Sequence, residues 1–235
     1  MTKGEYEILG LLPVRGESLG LPGKNSRELH GRPLMGWAAR ALKDSLDVDY
    51  AFCSTDSLKL AQIAENYGLK TYPLRPSNLA GPESLVRDTV SCVLEEHSRK
   101  GRNYDQVVLV QATSPFVTTS DISRVVAALR ERSVDSAVSV TKVPDDYHPS
   151  LMYRSSGGQL LIAGDPEETF RRRQDRSSWF RRVGLVVGFK VDFFKDQGQL
   201  VGGNVRFIEV EPDRGINIDD EDDFASAEQI AERYL

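Results

Sequence analysis

Short apolar runs alternate with helix-spaced apolar patterns along most of this chain, and that alternation limits the possible folds more than any other feature. Ile8–Val14 is almost wholly apolar, as a strand buried on both faces is. Pro33–Lys43 then sets Leu34, Trp37, Ala38, Ala41 and Leu42 along one helical face, with proline in the first turn. The cycle repeats. A strand is predicted over 50–54, and a helix runs from Asp56 or Ser57 through Asn66 until Gly68 stops it. A short strand over 70–73, a helix over 84–99 and a strand over 106–111 follow. Ser120 is expected to cap a helix over 121–131, ahead of a strand over 137–140. This order predicts an α/β fold with a mainly parallel sheet. Ligands of such sheets lie beyond the carboxyl ends of the strands. The polar stretches 15–25, 54–56 and 111–114 fall at those ends.

The pattern breaks over 142–182, where periodicity is weak and Pro144, Pro149, Gly157, Gly158 and Gly164 interrupt the chain. A segment this long without strong helix signals reads as an arm or a lid. Regular structure is predicted again as a strand over 184–191, a short helix over 192–196, a strand over 205–210 and a helix over 221–234. The length of 235 residues suits one domain, 1–235, with 142–182 as an insertion.

Composition removes several classes of function. Thirty Lys+Arg against 35 Asp+Glu leave a net charge of −5, which argues against a general nucleic-acid binder. No apolar run approaches the roughly 18 residues of a membrane span, and the charged start Met1–Glu7 lacks a leader's apolar core. Cys53 and Cys92 are too few for a disulfide framework, and a cytoplasmic setting is expected. His30 and His97 read as surface residues, and His148 as part of the arm.

Three segments could carry chemistry. In Arg15–Asn25, three glycines let backbone amides approach an anion while Arg15 and Lys24 add positive charge. The spacing is neither that of a P-loop nor that of a dinucleotide fingerprint, so a flexible surface turn is the alternative. In Ile216–Asp223, Asn217 and Asp219 alternate with two isoleucines and offer hard oxygen ligands of the kind Mg²⁺ takes. Asp220, Glu221 and Asp222 read instead as helix N-terminal acids. Phe170–Arg182 holds six arginines in thirteen residues, which suits an anionic small substrate better than nucleic acid in an acidic protein.

Taken together, these motifs resemble the acylneuraminate cytidylyltransferases over nearly the whole chain. The resemblance rests on Leu12–Ser18 and Gly20–Asn25, Ser54-Thr55-Asp56, Leu74-Arg75-Pro76, Gln111–Pro115, Val138-Ser139-Val140, Arg173-Gln174 and Ile216–Asp219, in that order. It implies a Rossmann-like nucleotidyltransferase fold with one late antiparallel strand and a protruding dimerisation arm. It also implies transfer of CMP from CTP to an anionic sugar acid with release of pyrophosphate. Positioning and charge neutralisation by Mg²⁺, Arg and Lys would dominate such a reaction. Arg15, Ser18 and Lys24 would hold the triphosphate, with Arg15 and Lys24 carrying catalysis. Asn25 and Arg75 would help hold the nucleoside, Gln111, Arg173 and Arg181 would meet the acceptor, and Asp219 and Asn217 would meet the metal. The arm would make a homodimer and reach the partner's site.

The chain also departs from the family's pattern. Leu19 stands where a lysine is common, and Val86 about where a serine is. Arg181-Arg182-Val183-Gly184 replaces an Arg-x-Asn-Gly, and Asn217 replaces the first aspartate of an Asp-x-Asp. A sialic-like acid is the leading acceptor. A same-fold transferase acting on a phosphonate or other acid, and a weakly active nucleotide-binding homologue, are the alternatives.

Overall fold

The strands of this computed structural model, which describes residues 6–18 and 20–234, form a central sheet where apolar residues are buried on both faces and shorter pairings outside it. In chain order they and the helices are β1 (Ile8–Pro13), β2 (Glu28–Leu29), β3 (Arg32–Pro33), α1 (Leu34–Asp44), β4 (Tyr50–Ser54), α2 (Leu58–Asn66), α3 (Val86–Arg99) and β5 (Gln106–Val110). Then come α4 (Thr119–Leu129), β6 (Ser136–Lys142), β7 (Tyr153–Ser156), β8 (Gln159–Ile162), β9 (Phe180–Lys190), α5 (Val191–Gln197), β10 (Val205–Glu209) and α6 (Glu221–Ala231). Six strands make the main sheet in the order β10-β6-β9-β5-β1-β4. β1 pairs in parallel with β4 and β5, and β10 with β6; β9 is the late antiparallel strand, between β5 and β6.

Alternation along each strand divides the core into two layers. Ile8 and Leu12 of β1 and Val108 and Val110 of β5 meet α1, α2 and α4 on one face. Leu9, Leu11, Val107 and Leu109 meet α3 and α5 on the other. A third cluster joins Leu21, Phe116 and Ile218 to Phe224, Ala227 and Ala231 of α6, and so packs the glycine loop against the segment that leads into the last helix.

Several local expectations change. Residues 70–73 make one bridge, Phe52 with Lys70, because Tyr72 is 82% exposed and Pro73 has no N–H to extend the pairing. The cap of α4 is Thr118, not Ser120. Thr118 accepts from Asp121 N–H, and the Asp121 carboxylate accepts Thr118 N–H at 2.9 Å, a reciprocal box that a serine two residues later cannot form. His97 is 3% exposed, its Nδ1 2.8 Å from the Tyr104 hydroxyl and its ring edge-on to Phe52; it belongs to the interior, not the surface.

The arm carries its own hairpin, β7–β8, in a sheet separate from the main one and turned by Gly157-Gly158. His148, in the arm as expected, is buried. Its Nδ1 accepts from Ser150 N–H, so its Nε2–H points at Ser177 O and Glu168. β9 begins at Phe180, earlier than predicted, because Phe180–Arg182 pair with Val140–Lys142 beyond a break in register.

Candidate active site

β1, β4 and β5 end side by side, and the loops that leave them wall a cleft of about 350 Å³. Arg15, Ser18, Lys24 and Asn25 come from the first loop, Arg75 from the segment after α2, Gln111 from the end of β5, and Asn217 and Asp219 from the approach to α6. Eight of the ten residues expected from the sequence therefore share one cavity. Leu19 lies outside the described residues, as do 1–5 and Leu235.

The glycine loop is tied to the far segment by specific contacts. Lys24, 7% exposed, donates from Nζ to Ile218 O at 2.8 Å and to Asp219 Oδ1 at 2.7 Å. A Cβ at Gly20 would sit 2.5 Å from the Asp219 carbonyl oxygen, so the loop approaches closely only because position 20 is glycine. Gly16 N–H donates to Asp56 Oδ1 at 2.8 Å, which fixes the start of the loop against the end of β4.

Charge in the cleft is mostly positive. Arg75 donates from Nε to Ser54 Oγ at 3.1 Å and from Nη2 to Ser54 O, which aims its guanidinium across the strand ends. Burial pulls the Arg75 pKa below its ordinary value; Asp56 opposes this, and the Arg15 charge adds to it. Arg15, Arg75 and Lys24 face one carboxylate, Asp219, an imbalance that favours an anion. Asn25 donates from Nδ2 to Arg15 O at 3.3 Å, and its buried Oδ1 has no partner among the described residues. An unpaired buried acceptor facing a cleft invites a donor from a ligand.

Asp219 is positioned by the helix that follows. Asp220 caps α6, as the acidic run suggests, and Asp223 Oδ2 accepts the N–H groups of both Asp220 and Asp219, the latter at 2.9 Å. Arg214, 8% exposed, donates to Phe116 O from Nε at 3.1 Å and from Nη2 at 2.9 Å, and pairs with buried Asp121. This pair fastens the approach to α6 onto the start of α4.

Gln111 lies against β9. A Cβ at Gly184 would overlap its Oε1 and come within 3.0 Å of Ser114 Oγ. Gly184 sits where the register shifts between Val138 opposite Val187 and Val140 opposite Arg182. The Ser139 hydroxyl fills that bulge, accepting Val186 N–H at 3.0 Å and lying 3.0 Å from the carbonyl oxygens of Val183 and Val186. Val183 is buried in the core, so this position presents no polar group to the cleft.

Arg173 and Arg181 do not line the cleft. Arg173 pairs with Asp145 in a separate hollow of the arm, beside Lys142, Arg176 and Trp179. That pairing holds the Asp145 carboxyl below its ordinary range. Arg181 is the second residue of β9, with its guanidinium beside Gly215.

Sequence reasoning missed Thr113, Ser54 and Arg214. Thr113 and Ser54 lie inside the quoted motifs Gln111–Pro115 and Ser54-Thr55-Asp56, but a hydroxyl's partner is visible only once the strands are assembled.

Residues 9–170 match the family model described as Cytidylyltransferase. The chain is 30% identical over 234 residues to N-acylneuraminate cytidylyltransferase A of Danio rerio, covering 97% of this chain and 51% of that protein. It is 35% identical over 136 residues to CMP-N,N'-diacetyllegionaminic acid synthase of Legionella pneumophila, covering 58% of each. The chain spans about half the length of the first curated relatives it matches. A solved CMP:2-keto-3-deoxy-manno-octonic acid synthetase complexed with CTP superposes with a TM-score of 0.73 at 15% identity, covering 97% of this chain and 100% of that one, a likeness of fold. The nucleotidyltransferase fold, the cleft at its strand ends and the family match over 9–170 agree: this chain belongs to the cytidylyltransferase family.

Proposed function

We propose that this chain transfers CMP from CTP to an anionic sugar acid of the nonulosonic type and releases pyrophosphate. The convergence of Arg15, Lys24, Arg75 and the unpaired Asn25 Oδ1 in one cleft with Asp219 carries this reading. The acceptor oxygen attacks the α-phosphorus, the bond from that phosphorus to the bridging oxygen breaks, and the pair of electrons leaves with pyrophosphate. The hydroxyl proton is lost to solvent. Arg15, Ser18 and Lys24 bind and orient the triphosphate and offset the charge that grows on the leaving group. Asn25 and Arg75 hold the nucleoside, and Gln111 meets the acceptor.

Mg²⁺ suits the donors present. Among the described residues no three His, Cys, Asp or Glu gather, so Asp219, with the neutral amide of Asn217 beside it, would leave most positions to phosphate and water, as Mg²⁺ prefers. When bound, the ion would neutralise charge on the triphosphate.

The arm supports a homodimer. Phe170 is 91% exposed, Leu160 69% and Tyr147 63%, and a partner subunit would cover such side chains. Arg173 and Arg181 would then serve the acceptor side of a neighbouring cleft. No helix among the described residues is long and apolar enough to cross a membrane, and the two free thiols, Cys53 and Cys92, suit a cytoplasmic setting.

Buried Val183 favours one second reading, an acceptor acid other than a sialic acid, such as a phosphonate. Pyrophosphate release from each of the four nucleoside triphosphates, with a panel of sugar acids and phosphonates, tests both. CTP with a nonulosonic acid should react fastest. Val86 lines the cleft without a hydrogen-bonding group, so UTP is the competitor to watch. Preference for ATP or GTP would overturn the cytidylyl reading, and no release with any acid would leave a nucleotide-binding homologue.

A further inference from the structure

Both ends of the Asn217 side chain are engaged. Oδ1 accepts from the Thr113 hydroxyl, and Nδ2 donates to Asp219 Oδ2. Chemistry forces this orientation. The Asp219 carboxylate can only accept, so the amide turns its NH₂ group toward it and its oxygen then faces Thr113. Lys24 takes the other carboxylate oxygen at 2.7 Å. Thr113 grips the same segment a second time, through Ile218 N–H to Thr113 O at 2.9 Å. Asp219 is thus held at both oxygens by groups of this chain alone. An aspartate at position 217 would instead set a second carboxylate against Asp219 Oδ2, and like charges so placed need a cation between them.

We propose that Asn217 is a clamp on Asp219 rather than a cation ligand, and that Thr113 is a positioning residue acting through it. The arrangement lets the acidic end of the cleft assemble before any cation arrives, and it presents Asp219 in one rotamer to the metal–triphosphate complex. This inference rests on the metal–nucleotide reading above for its consequence, but its core concerns three side chains of the free protein.

Two measurements without turnover test it, with circular dichroism to check that each variant folds. The first is thermal unfolding without nucleotide, in EDTA and in Mg²⁺. The wild-type protein should melt alike in both, whereas Asn217→Asp should melt lower in EDTA and recover in Mg²⁺. The second is Mn²⁺ binding in the presence of CTP, followed by water-proton relaxation. A clamp predicts that Thr113→Val weakens Mn²⁺ binding about tenfold, as loss of a supporting hydrogen bond does at metal sites, while Thr113→Ser keeps wild-type affinity. Because Oδ1 has two lone pairs, a ligand role for Asn217 would also let Thr113→Val weaken Mn²⁺ binding, so melting of Thr113→Val in EDTA separates the two: the clamp predicts a lower melt than the wild type, a ligand role alone the same melt. Unchanged or tighter Mn²⁺ binding by Thr113→Val would overturn the clamp, as would Asn217→Asp melting like the wild type in EDTA. If the wild type binds no Mn²⁺ with CTP while Asn217→Asp still melts low in EDTA, the clamp stands and the metal reading falls.

Discussion

Lys24 Nζ lies 2.7 Å from Asp219 Oδ1, so the cation of the glycine loop and the carboxylate before the last helix meet across 195 residues of sequence. The two side chains differ in exposure, 9% for Lys24 and 65% for Asp219. Lys24→Ala should therefore leave Asp219 solvated rather than stranded, at a stability cost of about 1 kcal/mol. Activity should fall far more, by about 10²–10³ in kcat/KM, if Lys24 makes the proposed phosphate contact that strengthens in the transition state. Arg15→Ala should behave alike. Steady-state pyrophosphate release and thermal melts of both variants check this; wild-type turnover in both would remove the loop from the triphosphate site.

Arg214 and Asp121 form the buried pair of this fold most exposed to a one-sided substitution. Arg214→Met leaves the Asp121 carboxylate, 1% exposed, without its cation, and should cost about 3–5 kcal/mol. Urea unfolding should show a lower midpoint with an unchanged slope. An unchanged midpoint would mean that the pair contributes nothing net.

His97 predicts acid sensitivity. Burial lowers its pKa below the ordinary 6.5, and Lys100 and Arg102 add to the effect. Burial pushes the neighbouring Tyr104 hydroxyl up to about 12, so that group stays protonated and donates to His97 Nδ1. The unfolded chain then binds the proton more readily than the folded one. The stabilising difference is complete above pH 6.5 and is lost as pH falls through the folded value. His97→Gln should melt at a lower temperature than the wild type at pH 7.5, and the gap should narrow at pH 5.5. A constant gap would argue against a neutral, buried His97.

Subunit complementation tests the arm. On the proposed function, Arg15→Ala should disable the cleft and Arg173→Ala the arm's contribution. If Arg173 serves a neighbouring subunit, mixing the two inactive proteins should restore about a quarter of wild-type activity, the statistical yield of one intact site per mixed dimer. A monomer by light scattering at micromolar concentration, or no recovery on mixing, would end the shared-site reading.

The sheet was legible because β1, β4 and β5 are apolar on both faces, a pattern few other structures produce. The loops at their ends followed from the same rule, which is why Arg15, Lys24 and Gln111 emerged together, whereas Asp219 was read from its alternation with Ile216 and Ile218. Ser120 could not be told from Thr118 as a cap, since the choice turns on where Asp121 folds back. His97 was misjudged because a helix pattern does not reveal that Phe52 and Tyr104 enclose its last turn. Arg173 was legible as an anion-binding residue, but its pairing with Asp145 depends on how the arm folds.

The arm leaves the sheet from Lys142 and re-enters at Phe180, and these two residues are directly opposed across β6 and β9. Chain exit and return therefore coincide at one rung of the ladder, the geometry of a hairpin whose turn has grown into residues 143–179. A tight turn could bridge that rung without disturbing a single strand that frames the cleft. The segment beyond the rung could therefore change in length while the strands that frame the cleft keep their pairing.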